Sequence, residues 1–249
     1  MLTTHDLTVA LNQGKQVDAV VLDFSKAFDK VPHRRLCNKL NNYGIRGTTL
    51  QWIEDFLCGR SQQVVMDGYS SDNLPVTSGV PQGTMLSPLL FLCYINDLLE
   101  YVSCNIRLYA DDVLLYNIIE SEKDCLQLQS DLNALEHWEK TWQMKFNTLK
   151  CQYISYGNKR TPIQKVYTIH GEPLQQVSSI KYLGVTIDKR ITWNEHTDRL
   201  VHKANKVGGF LYQNFKNCPI HVKKKCYETL VRPILEYAST VWSPTTSRI

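Results

Sequence analysis

Apolar positions along the chain follow two spacings. Asp18–Phe24 (DAVVLDF) is an apolar run, rich in β-branched residues and short enough for a buried strand. From Pro32 the spacing becomes helical. Pro32 suits a first turn, Leu36, Leu40 and Tyr43 share a face, and Gly44 can close the helix. Leu50, Ile53 and Leu57 predict a second helix over Thr48–Cys58. Two short strands are expected at Gln62–Asp67 and Asn73–Thr77, around a turn at Gly68-Tyr69-Ser70-Ser71. The Gly- and Pro-punctuated loop Ser78–Gly83 leads to an apolar helix over Pro88–Val102. Two strand pieces follow within Ile106–Tyr116. Ser121 and Asp124 have capping-box spacing, ahead of a stripe of Leu128, Leu132, Leu135, Trp138 and Trp142. Three short strands are expected between Cys151 and Ile187. After Asn194 the pattern is helical: Leu200, Ala204, Val207, Leu211 and Phe215, then Val222, Cys226 and Leu230. This order predicts an α+β domain over 1–187 and a small helical region over 188–249.

Charge sharpens that boundary. The net charge of +4 conceals 17 basic against 20 acidic residues in 1–188, and 10 basic against 3 acidic in 189–232. A late segment with a balance of +7 suits a polyanionic partner; a solvated helical face is the rival reading. With 43% hydrophobic residues among 249, the chain can bury a sizeable core, which argues against disorder. Eight cysteines without a CxxC pair read as reduced thiols of an intracellular protein rather than a zinc or disulfide framework. No apolar run approaches the ~20 residues of a membrane span, and the N-terminus has no signal-peptide pattern, so neither membrane nor targeting signal is expected.

Carboxylates stand in two unfavourable places. Asp23 ends an apolar strand, and Asp111 and Asp112 interrupt another, Leu108–Tyr116. Acidic residues form strands poorly and are seldom buried unpaired. A hairpin turn accounts for Asp there, but not for two adjacent acids without glycine. The competing reading is an oxygen cage for Mg²⁺, which takes one or two protein carboxylates and completes its shell with water and phosphate. Two such ions can clamp a phosphoryl transfer.

The surrounding residues carry a family resemblance. Tyr109-Ala110-Asp111-Asp112 resembles the Y-x-D-D box of reverse transcriptases. Asp23-Phe24-Ser25-Lys26-Ala27-Phe28-Asp29, continued by Lys30-Val31-Pro32-His33, resembles their first palm motif in the wording of jockey- and CR1-like non-LTR (LINE-type) retrotransposons. Ser78-Gly79-Val80-Pro81-Gln82-Gly83, with Ser87-Pro88-Leu89-Leu90-Phe91, resembles the second palm motif, and Tyr182-Leu183-Gly184-Val185 the primer-grip hairpin. Four motifs in order make the resemblance specific over about residues 1–240.

The resemblance implies an α+β fold: a right-hand polymerase palm, an RRM-like antiparallel sheet packed by helices, followed by a small basic helical thumb. It implies RNA-directed DNA polymerase activity, with an RNA template, a DNA primer and dNTPs as partners, alongside other parts of the retroelement protein. The site of action would be nuclear. Asp23 and Asp111 would be the essential metal carboxylates and Asp112 a supporting one, with Phe24 lending its carbonyl, around two Mg²⁺ ions for which Mn²⁺ can substitute. Phe28 would stack under the incoming sugar and exclude a 2′-OH; core packing is its plainer reading. Pro81, Gln82 and Gly83 would form a platform for the nascent pair, with Gly79 and Gly83 allowing close backbone approach. Asp29 is expected to cap or pair locally. Lys150, with Lys145 as competitor, would give a proton to the leaving pyrophosphate. Tyr182, Leu183 and Gly184 would place the primer end. Arg199, Lys203, Lys206 and Lys223–Lys225 would follow duplex phosphates.

Only 22 residues precede Asp23, so the sequence reads as lacking most of the family's fingers region, with Thr3–Gly14 as its last helix. Poor polymerisation by the isolated chain is the expectation that follows. The rival functions are a non-catalytic nucleic-acid-binding remnant and an intron-maturase-like cofactor.

Overall fold

Strand β1 (Gln16–Asp23) is buried along most of its length on both faces, with Val17, Ala19, Val20 and Leu22 shielded from solvent. A strand shielded on both faces belongs inside a sheet; β1 is its middle strand, and its buried Gln16 amide donates to Asp18 Oδ1 at 2.9 Å. In the computed structural model, which describes residues 2–242, the five-stranded sheet has the order β11-β8-β1-β7-β6. Its members are β6 (Asn105–Tyr109), β7 (Asp112–Ile119), β8 (Gln152–Tyr156) and β11 (Gln175–Gln176) besides β1. Strands β6 and β7 form an antiparallel hairpin from Asn105↔Tyr116 to Tyr109↔Asp112. The fold is thus α+β, as the element order predicts.

The chain gathers into two compact units. The first holds 19–153 and 163–175. Its core joins β1 and β7 to the buried faces of α2 (His33–Asn42), α3 (Gly47–Leu57), α4 (Leu86–Ile95) and α5 (Glu122–Trp142). Leu128, Leu132, Leu135 and Trp138 are all buried, and Ser121 and Asp124 form the capping box that starts α5. The expected long helix over Pro88–Val102 is shorter: α4 ends at Ile95 and tightens into a 3₁₀ segment, Asn96–Glu100. There Asp97 serves the buried Lys39 ammonium, whose Nζ lies 2.6 Å from Asp97 Oδ1 and 3.7 Å from the Trp142 ring centroid. A buried lysine is tolerable only when paired in this way.

The strands between α3 and α4 differ from expectation. They are four two-residue pieces, β2 (Ser61–Gln62), β3 (Val65–Met66), β4 (Tyr69–Ser70) and β5 (Leu74–Pro75), pairing β2 with β5 and β3 with β4. The turn is Asp67-Gly68, both at positive φ, and not Gly68–Ser71. An Asp-Gly pair is the preferred sequence for that two-residue turn.

The second unit comprises 2–18, 154–162 and 176–242. It contains α1 (Leu2–Asn12), the hairpin β12 (Ser179–Tyr182) and β13 (Val185–Asp188), α6 (Asn194–Asn214), α7 (Ile220–Cys226), α8 (Arg232–Glu236) and α9 (Ser239–Trp242). With β9 (Thr168–Ile169) and β10 (Glu172–Pro173) of the first unit, six short strands lie between Cys151 and Asp188 rather than three. Two of the tight turns there, at His170-Gly171 and Leu183-Gly184, begin with a non-glycine residue at positive φ, which a reading based on local propensity disfavours.

Ala204 and Leu211 of α6 meet Val231 in a small core, with Val207, Phe215 and Cys226 packed against it. The expected Leu230 is 50% exposed, whereas Val231 is 7% exposed. Residues Tyr227–Val231 form a π-helical turn, whose wider repeat advances the buried face by one position after Cys226.

Candidate active site

Two backbone devices bring carboxylates together in the first unit. Asp23 is the last residue of β1. Ala110 and Asp111 form the two-residue turn between β6 and β7, which leaves Asp112 as the first residue of β7. Ala110 adopts φ 50, a left-handed conformation that glycine would occupy at less cost. Strain of this kind, of order 1–3 kcal/mol, concentrates at functional sites. The turn reading and the acidic-site reading of Asp111-Asp112 therefore describe the same geometry.

The electrostatics report the same clustering. Burial raises the Asp112 carboxyl above the usual carboxylate range, and the charges of Asp111 and then Asp23 raise it further. Asp23 Oδ2 is closed off from solvent and takes no aligned hydrogen bond, although the Lys150 ammonium stands 3.0 Å from it as an ion pair. Lys150 is itself exposed, and its pKa is raised chiefly by bonding to Asp23 and by the charges of Asp23 and Asp111.

A shielded carboxylate oxygen with free acceptor capacity, beside two further carboxylates, is a hard-oxygen donor set that fits a divalent cation. Among the described residues no three His, Cys, Asp or Glu side chains converge into a ready ligand cluster. Mg²⁺ does not require one, since water and phosphate complete its shell.

The loop after α5 builds the wall on which Asp23 rests. Phe146 bridges Phe24 as an isolated β-pair and stacks on its ring at 4.5 Å between centroids. Ser25 N–H donates to the Lys145 carbonyl (2.8 Å) and Asn147 N–H to the Asp23 carbonyl (2.7 Å). This register separates the two competing lysines: Lys150 points its ammonium at Asp23, whereas Lys145 contributes its backbone.

Phe28 lies half-buried and stacks on Phe91, with ring centroids 4.7 Å apart. One ring face is thus core, as the plainer reading holds. Gln82 is exposed, and its amide donates to Asp29 Oδ1 at 2.9 Å, a pairing across 53 residues rather than the local one expected of Asp29. Pro81 is half-buried and Gly83 exposed. Gly79 does approach backbone closely: an added Cβ would fall 2.7 Å from the Asp29 carbonyl oxygen. Gly83 does not, since nothing lies within 4 Å of the equivalent position. Two residues to which motif reading gave no role hold this loop. His33 Nε2 (2.8 Å) and Arg60 (2.9 Å) both donate to the Gly79 carbonyl. A buried histidine just after a helix-starting proline was the available signal.

In the second unit, Leu183 and Gly184 form the β12–β13 turn, both at positive φ. Tyr182 is 9% exposed, so its side chain serves the core rather than the surface. Tyr237 donates its hydroxyl to the Leu183 carbonyl (3.0 Å) and packs against Gly184. Arg199 bonds to the Thr186 hydroxyl, while Lys203 and Lys206 are exposed. Lys223 donates to the Lys216 carbonyl (2.7 Å) and Lys224 lies 3.9 Å from Glu228, so part of the basic run is engaged locally.

The chain is similar to known proteins over most of its length. A family described as "Reverse transcriptase (RNA-dependent DNA polymerase)" matches residues 2–187. The RNA-directed DNA polymerase from mobile element jockey of Drosophila funebris is 30% identical over 249 aligned residues, covering 94% of this chain and 26% of that protein. Its Drosophila melanogaster counterpart is 27% identical over 248, again with 94% and 26% coverage. The chain therefore spans about a quarter of the length of the curated relatives it matches. Among solved structures, a telomerase from Candida tropicalis in complex with a fragment of telomeric RNA aligns with TM-score 0.55 at 10% identity, over 97% of this chain and 41% of that one. At that identity the likeness concerns the fold. No helix among the described residues is long and apolar enough to cross a membrane.

Proposed function

Because the chain belongs to the reverse transcriptase (RNA-dependent DNA polymerase) family, with homologues among the RNA-directed DNA polymerases of non-LTR retrotransposons, we propose that it carries the nucleotidyl-transfer centre of such an enzyme. Reverse transcriptases generally use divalent metal ions and act on nucleic acid. In this reading the substrates are dNTPs, an RNA template and a DNA 3′ end, and the work is done in the nucleus. The observation that carries the proposal is the carboxylate cluster: Asp23 with a shielded Oδ2 that faces the Lys150 ammonium at 3.0 Å, and Asp112 raised by burial and by the charges of Asp111 and Asp23.

Asp23 and Asp111 would hold the metals, Asp112 would support them, and the Phe24 carbonyl would be a further oxygen donor. Two Mg²⁺ ions bound there, or Mn²⁺ in their place, would make the primer 3′-OH more acidic and neutralise the triphosphate. Lys150, protonated and 3.0 Å from Asp23, is placed to donate a proton to the leaving pyrophosphate, and a cation on Asp23 would offset the carboxylate charge that raises its pKa. Phe28, braced by Phe91, offers its remaining surface to the sugar and disfavours a 2′-OH. Pro81, Gln82 and Gly83 support the nascent base pair from a loop whose carbonyl is tied down by His33 and Arg60. The backbone of Tyr182, Leu183 and Gly184 receives the primer end, and Lys203 and Lys206, with Arg199, follow duplex phosphates without reading sequence.

The test is primer extension on poly(rA)/oligo(dT) with Mg²⁺. It uses the 249-residue chain and a chimera in which the chain replaces the matching quarter of the jockey polymerase. Incorporation of dTTP by the chimera, abolished by Asp111→Ala, is the expected result. Retained hybrid binding with no incorporation in either protein would favour the non-catalytic binding remnant.

A further inference from the structure

We propose that Glu139 is a positioning residue for the Asp23–Lys150 pair, acting through the 143–151 loop and braced by His170; its functional meaning rests on the reading of that pair given above. Glu139 is 3% exposed on the core-facing side of α5. One carboxylate oxygen accepts the Phe146 backbone N–H and the other meets His170 Nε2. His170 sits at positive φ in the His170-Gly171 turn of the β9–β10 hairpin, and its own N–H donates to Glu136 Oε1 at 2.7 Å. Glu139 thus ties helix α5, the loop and that hairpin together.

A buried carboxylate is costly to desolvate, and burial does raise the Glu139 carboxyl above its ordinary range. Plain packing at this position would favour an apolar side chain. What the carboxylate secures is the backbone of Phe146, the central residue of the 145–147 segment that pairs with Asp23–Ser25. From there the chain turns through bonds to the Asn147 carbonyl from Lys150 N–H (2.9 Å) and Cys151 N–H (3.0 Å). That turn delivers the Lys150 ammonium to Asp23. Met144, Phe146 and Cys151 anchor the loop by burial, whereas Leu149 and Lys150 are exposed, so the stretch that carries the ammonium depends on the backbone held at Phe146.

The experiment measures acylation of individual lysines by an amine-directed reagent, read by mass spectrometry on the full chain. Lys150 is the reporter because its ammonium is paired with Asp23 at 3.0 Å, a contact expected to slow its labelling in the native protein. Glu139→Met matches the side chain in volume but accepts no hydrogen bond. It is expected to raise Lys150 labelling about three- to tenfold, with Lys123 as an unchanged reference. Glu139→Gln keeps an acceptor for Phe146 N–H and is expected to label like the native chain. An unchanged Lys150 rate in folded Glu139→Met, or an equal rise in Glu139→Gln, would overturn the proposal. Should Glu139→Met not fold, His170→Phe removes only the outer brace and is expected to give a smaller rise; no rise overturns the clamp. Labelling is independent of catalysis, so a rise in Glu139→Met alongside an inactive chimera supports the clamp and overturns only the polymerase reading.

Discussion

Gly79→Ala should be among the most damaging single-methyl additions in the chain. Two costs add. Gly79 has φ +88, a conformation in which any side chain is strained by about 1–2 kcal/mol. The new Cβ would also lie 2.7, 2.8 and 2.9 Å from the carbonyl oxygen, Cα and carbonyl carbon of Asp29. Those are backbone atoms and cannot rotate away as a flexible side chain would. They are further fixed by Gly79 N–H to the Val31 carbonyl and Val80 N–H to the Phe28 carbonyl, both 2.8 Å. Overpacking of this sort costs roughly 1–3 kcal/mol, for a total of about 2–5 kcal/mol. Gly83→Ala is the internal control, because Gly83 has nearly the same φ, +84, with nothing within 4 Å of its added Cβ. It should lose only the strain, about 1–2 kcal/mol. Urea unfolding followed by far-UV circular dichroism reads both, with the midpoint moving and the slope held. Equal losses in the two variants would refute the reasoning, since it assigns the difference to the approach of Asp29.

Three further outcomes are expected. Val231→Ser should cost about 2–3 kcal/mol and Leu230→Ser under about 0.5 kcal/mol, because the π-helical turn buries the former and exposes the latter; thermal melts of the two compare them directly. Asp112→Asn should raise Tm at pH 7. The folded-state pKa of Asp112 lies above its unfolded value of 3.8, so the native carboxylate subtracts stability as pH rises through that window. The gain should vanish below pH 3.8, where the native carboxyl is protonated in both states, and persistence at low pH would contradict the assignment. Tyr237→Phe should destabilise by about 0.5–1.5 kcal/mol through loss of its bond to the Leu183 carbonyl, and amide hydrogen exchange at Leu183-Gly184 should accelerate.

The legibility of this chain in its sequence divides by the range of the interaction that sets each feature. The α5 capping box and the buried stripe from Leu128 to Trp138 depend on spacing within one helix, and spacing is visible in a string of residues. Asp23, Asp111 and Asp112 were conspicuous because carboxylates are out of place in apolar strands. The π-helical turn left no periodic trace, since one wide turn within a few residues is indistinguishable from a slipped stripe. The hairpins turning at His170-Gly171 and Leu183-Gly184 begin with a side-chain-bearing residue at positive φ. Local propensity disfavours that choice, and tertiary contacts such as Tyr237 on Gly184 uphold it. Glu139, His33 and Arg60 act on backbone atoms of distant segments, so no motif containing them announces what they hold.

The central claim is that Asp23 and the Ala110–Asp112 turn share a divalent-cation site. Its most direct test is titration of the isotope-labelled chain with Mn²⁺, read as paramagnetic broadening of assigned backbone amides. The amides of Asp23–Ser25 and Ala110–Asp112 should broaden first. Asp23→Asn or Asp111→Asn should require at least about tenfold more Mn²⁺, the loss expected when a carboxylate ligand is removed from a small site, while Asp29→Asn should titrate like the native chain. Broadening that begins elsewhere, or that is indifferent to Asp23 and Asp111, would contradict the account.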